Sequence, residues 1–302
     1  MSASNLWLLA IALTSISLLG CGGGGESAGP TSPSPLIGTF IDSVVEGLEY
    51  ETNSISGITD IKGQFQYELN DDITFSIGDI QLNQSLFPTK AQYIMTPNDL
   101  FSSDISYSGD AITNILQFLQ TLDDDDFPDN GISITANIRA LAQGKNINFN
   151  TSTEVFESDE EIKIILSELT SARSTGARTL VPKKDAALHF QNSIFNQMAN
   201  LRDEMDQISG LSCTADNQCT AMAIYNGPDC PFTYIPLSLD DTSDPQAVAD
   251  LISISYKLGS TLEIIKNAAQ LIPAKAEQCP PGPKLGASLP LMACVMNQCT
   301  AQ

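Results

Sequence analysis

"GITDIKGQFQYELNDDITFSIGDIQL", residues 57–82, changes side with every residue. Phe65, Tyr67 and Leu69 share one side of "GQFQYEL", Ile73, Phe75 and Ile77 share one side of "ITFSI", and Ile80 and Leu82 follow. Apolar residues at every second position fit half-buried strands, whose side chains point alternately to two faces. Turn sequences, "TDIKG", "NDD" and "GD", separate the runs. Upstream, Leu48, Tyr50 and Thr52 repeat the pattern before "TNSISG" breaks it. Five or six short strands at this spacing predict a small antiparallel β module from Gly38 to about Leu82, within a β-rich region spanning 37–104.

The order "GTFIDSVVEGLEYE" then "SGITDIKGQFQYEL" resembles the start of carboxypeptidase-regulatory-like, transthyretin-like β-sandwich modules. The matching residues are Gly38, Asp42, Gly47, Thr59, Asp60, Gly63 and Phe65. The resemblance implies a sandwich used as a spacer or binding platform on an exported protein, and implies no activity.

The period then lengthens. "SGDAITNILQFLQTLDDDD" puts Ile112, Ile115, Leu116, Leu119 and Leu122 on one helical face. "ITANIRALAQG" predicts a shorter helix ending at the C′ glycine Gly144. In "SDEEIKIILSELTSA", Ser158 and Glu161 form a capping box ahead of Ile162, Ile165, Leu166 and Leu169. After Pro182, a first-turn proline, the stripe Leu188, Phe195, Met198, Leu201, Met205 and Ile208 predicts a long helix. Residues 105–210 therefore read as a helical layer on or beside the β module. In 211–302 an irregular Cys-rich piece precedes a helix from Ser243, with Val248, Leu251, Ile252, Leu258, Leu262 and Ile265 inward, and a Pro-rich tail. The expected class is α+β: a small antiparallel β module, a central helical layer and a disulfide-rich C-terminal domain with one long helix.

The chain has seven cysteines. Cys21 stands apart, at the end of an apolar run (Leu6 to Gly20) too short to span a bilayer. "LLGC" resembles a bacterial lipobox, which implies cleavage after Gly20 and acylation of Cys21. The leader, residues 1–20, has no Lys or Arg, a departure from the usual export signal. Gly22 in place of Asp implies, by the same analogy, outer-membrane sorting. Residues 21–36, rich in Gly, Ser and Pro, read as a tether. The six remaining cysteines, Cys213, Cys219, Cys230, Cys279, Cys294 and Cys299, suit three disulfides in an oxidising compartment. Their spacings do not suit a zinc site, and fifteen pairings are open. Their outline is similar to a cysteine-patterned domain of bacterial secreted proteins, to which no activity attaches.

Lys and Arg total 14 against 36 acids, a net charge of −22 without a basic patch, which argues against nucleic acid as a partner. The densest acidic stretch, "LDDDDFPDNGISI", offers Asp124, Asp126, Asp129 and Asn130 as oxygen ligands for Ca²⁺. It is not an EF-hand: counted from Asp124, the glycine comes at position 8 and Thr135 stands at position 12. The other reading is a polar turn, although four acids at a helix C-terminus oppose the macrodipole and a counter-ion would relieve them. His189, the only histidine, reads as a partly exposed helix residue, because no sequence motif gathers a nucleophile and an acid around it. G-x-S-x-G, phosphate-loop and dinucleotide patterns are absent. The lone Trp7 lies in the leader, which weighs against a carbohydrate-stacking platform.

Two functions follow as expectations. The first is a bacterial lipoprotein anchored in the outer membrane, facing the periplasm or the surface, and acting as a non-enzymatic binding, adhesion or assembly module for an unknown protein or surface ligand. The second is an exported hydrolase or accessory subunit with a carboxylate-based site.

Overall fold

The alternating region folds into eight short strands: β1 (Leu36–Phe40), β2 (Val45–Glu46), β3 (Glu49–Thr52), β4 (Ser56–Ile58), β5 (Gln64–Tyr67), β6 (Ile73–Ile77), β7 (Ile80–Gln81) and β8 (Ile94–Met95). This computed structural model describes residues 34–85, 87–101, 109–224, 233–239, 241–242, 244–269 and 291–301. One sheet has the order β5-β1-β8 and a second, antiparallel sheet has β4-β3-β6-β7. Within the first, β1 runs antiparallel to β5 and parallel to β8.

Alternation puts Phe40, Phe65 and Phe75 in the core, where the Phe40 and Phe75 rings lie 4.8 Å apart and Phe65 meets Phe75 edge-on at 5.3 Å. Leu69 departs from the expected face and is 76% exposed, because β5 stops at Tyr67 and Asn70, at φ 71°, turns the chain away. Gly47 has φ 89°, and a β-carbon there would sit 2.0 Å from the Ile134 carbonyl oxygen, so the turn admits only glycine.

Helix α1 (Gly109–Leu122) buries its expected apolar face and its polar face as well. It is an enclosed helix rather than one side of an outer layer. Its amides bind the backbone of the loops around it. Asn114 Nδ2 donates to the Phe149 and Thr151 carbonyls at 3.0 and 2.9 Å. Gln117 Nε2 donates to the Val181 carbonyl at 2.8 Å and to the Glu157 carboxylate at 2.9 Å. These bonds satisfy the amide nitrogens, while the buried oxygens Asn114 Oδ1 and Gln117 Oε1 have no hydrogen-bond partner among the described residues.

Strand β9 (Ile132–Ser133) pairs parallel with β2. Helices α2 (Ala136–Leu141), α3 (Thr153–Ser158), α4 (Glu160–Thr170) and α5 (Lys183–Ile208) follow. Asp159, not Ser158, caps α4: its carboxylate accepts from the Glu161 and Ile162 amides, while the Ser158 hydroxyl donates back to the Glu154 carbonyl at the end of α3. Pro182 is the N-cap of α5, whose inward face is Ala187, Phe190, Ile194, Met198, Leu201 and Met205. Leu188 lies off that face and is 39% exposed.

Hairpin β10 (Cys219–Ile224)–β11 (Thr233–Ser238) leads to α6 (Pro245–Ala268), and β12 (Met292–Val295)–β13 (Gln298–Ala301) closes the chain. Asp244 caps α6, one residue after the expected start at Ser243. The ammonium of Lys257 on α6 binds the Asp99 carboxylate and the Ile94 carbonyl, both at 2.7 Å, which fastens the helix to the β module. Pro35–Gln302 forms one compact α+β unit whose core draws on strands and helices alike. Among the described residues, no helix is long and apolar enough to cross a membrane.

Candidate functional site

A two-residue turn between the bridged Ile41 and Val44 half-buries one polar side chain and fully buries the other. Asp42 points inward and is fully buried, accepting from Gln120 Nε2 at 3.0 and 3.1 Å. The same nitrogen donates to the Ala186 carbonyl at 3.0 Å. Burial pushes the Asp42 carboxyl well above the usual carboxylate range, and the Gln120 bond only partly opposes this.

Ser43 is half-buried and points toward α5 from a left-handed conformation, φ 58°. Its Oγ lies 3.0 Å from His189 Nε2, and His189 Nδ1 lies 3.1 Å from the Asp129 carboxylate. A carboxylate accepts only, so Nδ1 carries the proton and Nε2 accepts from the Ser43 hydroxyl. The His189 side chain is 9% exposed, whereas that of Asp129 is 68% exposed. Burial lowers the imidazole pKa, with Asp129 and the Asp42 backbone opposing, so the ring is neutral at pH 7. Ser193, one turn along α5, donates to the His189 carbonyl and offers its oxygen 3.1 Å from Ser43 Oγ. The partly exposed helix histidine of the sequence is therefore a shielded ring between a hydroxyl and a carboxylate.

The acidic loop is arranged around arginines. Arg173, with a side chain 1% exposed, donates from Nε to the Asp123 carbonyl at 2.6 Å, from Nη1 to the Gly176 carbonyl at 3.1 Å and from Nη2 to Asp126. Arg178 reaches the Gln120 carbonyl and the Asp126 carboxylate, both at 3.0 Å. Two guanidinium groups thus cap the C-terminal carbonyls of α1 and supply the counter-charge that the loop needs.

The four candidate calcium ligands take separate partners. Asp124 accepts from the Ser174 amide at 2.7 Å, Asp126 binds the two arginines, Asp129 binds His189, and Asn130 donates to Asp125 at 2.9 Å. Asp123 is enclosed and its pKa is pushed up to about 6, chiefly by burial and further by the nearby Asp125.

A cleft of about 620 Å³ lies beside Gln117, Glu157, Lys163 and Arg178. Glu157 is the one acid among its described lining residues, whereas a carboxylate-pair hydrolase needs two acids facing the substrate.

Cys213 is bonded to Cys294 and Cys219 to Cys299, so each bridge fastens the 213–219 region to the terminal hairpin. Cys21, Cys230 and Cys279 lie outside the described residues. Among those described, the one group of His, Cys, Asp or Glu close enough to share an ion is Cys213, Cys219 and Cys299, and all three are in disulfides. Two of the expected three bridges reduce fifteen pairings to one, because only Cys230 and Cys279 remain. Non-reducing proteolysis is expected to give peptides linked 213–294, 219–299 and 230–279. A 213–299 link, or alkylation of Cys213, Cys219, Cys294 or Cys299 before reduction, would reject this pairing.

No family model, curated protein or solved structure matches the chain.

Proposed function

We propose that this chain is an exported lipoprotein, held at the outer membrane by acyl chains on Cys21 and presenting a non-enzymatic binding, adhesion or assembly module on the 21–36 tether. The observation that carries this reading is the pair of disulfides in the C-terminal region, which suits an oxidising compartment outside the cytoplasm. The lipobox and the acidic composition support it from the sequence. The partner is a protein or surface ligand rather than nucleic acid. Calcium stays within the proposal as a ligand that has to compete with the arginines for the 123–131 loop.

Cys21→Ser tests the anchor. The substituted protein is expected to leave the membrane fraction or to keep its leader. Normal processing together with unchanged partition into detergent would reject the lipid anchor.

The second reading, an exported hydrolase, gains one specific observation, the approach of Ser43, His189 and Asp129. It gains none from paired carboxylates.

A further inference from the structure

Ser43 and His189 are 146 residues apart in the chain, and His189 and Asp129 are 60 apart, yet their side chains form one continuous hydrogen-bonded row. The two imidazole nitrogens are used in the order that base catalysis requires. The exposed carboxylate fixes the proton on Nδ1, and the bare Nε2 faces the hydroxyl. Ser43 occupies a left-handed backbone conformation, φ 58°, and strained non-glycine positions of this kind cluster at functional sites. The neighbouring Ser193 donates to the His189 carbonyl at 3.1 Å, and its Oγ lies 3.4 Å from Nε2, farther than that of Ser43 at 3.0 Å.

We propose that Ser43 is an acylatable nucleophile, with His189 as its general base and Asp129 as the residue that orients the imidazole, and that the site takes uncharged carboxylic esters. Ser43 Oγ attacks the ester carbonyl as its proton passes to His189 Nε2. The alcohol leaves with that proton, and the acyl group stays on Oγ. Water then attacks the acyl-serine, giving one proton to Nε2. The acid departs as Oγ recovers the proton, so ester and water become acid and alcohol.

The preference for uncharged substrates follows from the surroundings. Asp129 is exposed in a loop that also holds Asp124 and Asp125, and the whole chain carries −22, so anionic esters are repelled. Among the described residues, Phe127 and Leu188, 60% and 39% exposed, are the exposed large apolar side chains nearest in sequence to Asp129 and His189. This inference goes beyond the binding module proposed above. Its failure leaves the anchor test untouched, and the reverse also holds.

The test treats the detergent-solubilised full chain with a fluorophosphonate probe and maps the labelled residue by mass spectrometry. The wild type is expected to carry the label on Ser43. His189→Gln should slow labelling by about 10²–10⁴-fold, the usual contribution of a positioned base. Asp129→Asn should slow it less, and Ser43→Ala should leave that peptide unlabelled. Hydrolysis of p-nitrophenyl acetate should fall in the same order, with each variant's fold checked by near-ultraviolet circular dichroism. A folded wild type that takes no label, takes it elsewhere, or reacts as fast in a folded His189→Gln variant overturns the proposal. Labelling is scored first on the wild type, so a variant that fails to fold does not protect the idea.

Discussion

Arg173→Met is expected to destabilise the protein by about 3–5 kcal/mol, because it leaves several acceptors without a donor at a cost of about 1–3 kcal/mol each. The guanidinium is nearly inaccessible and binds the Asp123 and Gly176 carbonyls, the Thr175 hydroxyl and the Asp126 carboxylate. Methionine replaces the volume and none of the bonds, leaving the Asp123 and Gly176 carbonyls without this donor beside four acids. For a unit of this size, with about 2–4 °C per kcal/mol, the midpoint should drop by on the order of ten degrees. Arg173→Lys should recover little, because one ammonium cannot reach acceptors arranged around a planar fork. Asp126→Asn should cost far less, since its carboxylate is 44% exposed and solvent screens the loss. Thermal unfolding of the three variants gives the ranking, and an Arg173→Met midpoint within a degree or two of wild type would show that the arginine does not hold the loop. The same measurement addresses calcium. Because calcium has to displace protein donors from these carboxylates, millimolar CaCl₂ is expected to raise the wild-type midpoint only modestly, and NaCl of equal ionic strength not at all. A calcium-specific rise that Asp124→Asn with Asp126→Asn abolishes would establish the loop as a cation site.

The elements that alternate or repeat cleanly were legible because burial of a face is written in the local sequence. Phe65, Phe75, Ile112, Leu119, Leu258 and Ile265 all lie where periodicity places them. Leu69 was misread because period alone does not mark the residue at which a strand ends. The burial of the polar face of α1 was not legible for a different reason. Gln117 and Gln120 look like solvent positions, and only the approach of the loops at Val181 and Ala186 makes them interior. Arg173 and Arg178 answer the charge of the acidic loop from about fifty residues downstream, beyond any local pattern. The Ser43–His189–Asp129 row is equally non-local. Its one local trace is "FIDSVV", where two polar residues interrupt an apolar run in a way that marks a tight turn.

Asp42→Asn is expected to remove a loss of stability that the wild type suffers as pH rises. Asp42 lies 0% exposed against Gln120, and burial holds its folded pKa well above the unfolded value near 3.9. Between those two values the folded protein keeps a proton that the unfolded chain has released. Stability therefore falls with pH, by about 1.4 kcal/mol per unit, from just above pH 4 until the folded pKa is passed. Below pH 4 the contribution is fully present. Asp123, with its pKa near 6, acts in the same direction over a shorter range. His189 acts oppositely: its lowered pKa costs stability as pH falls below about 6.5. Subtracting the Asp42→Asn profile from the wild-type profile cancels both contributions and leaves Asp42 alone. Asparagine keeps an oxygen to accept the Gln120 bond and has no charge to bury, so any misfit is a constant offset and the slope is the readout. Urea unfolding from about pH 5 to pH 8 should show the variant gaining on wild type as pH rises. Parallel profiles would mean that Asp42 ionises in the fold at its ordinary pH, and that the Gln120 amide with its surroundings stabilises the charge despite full burial.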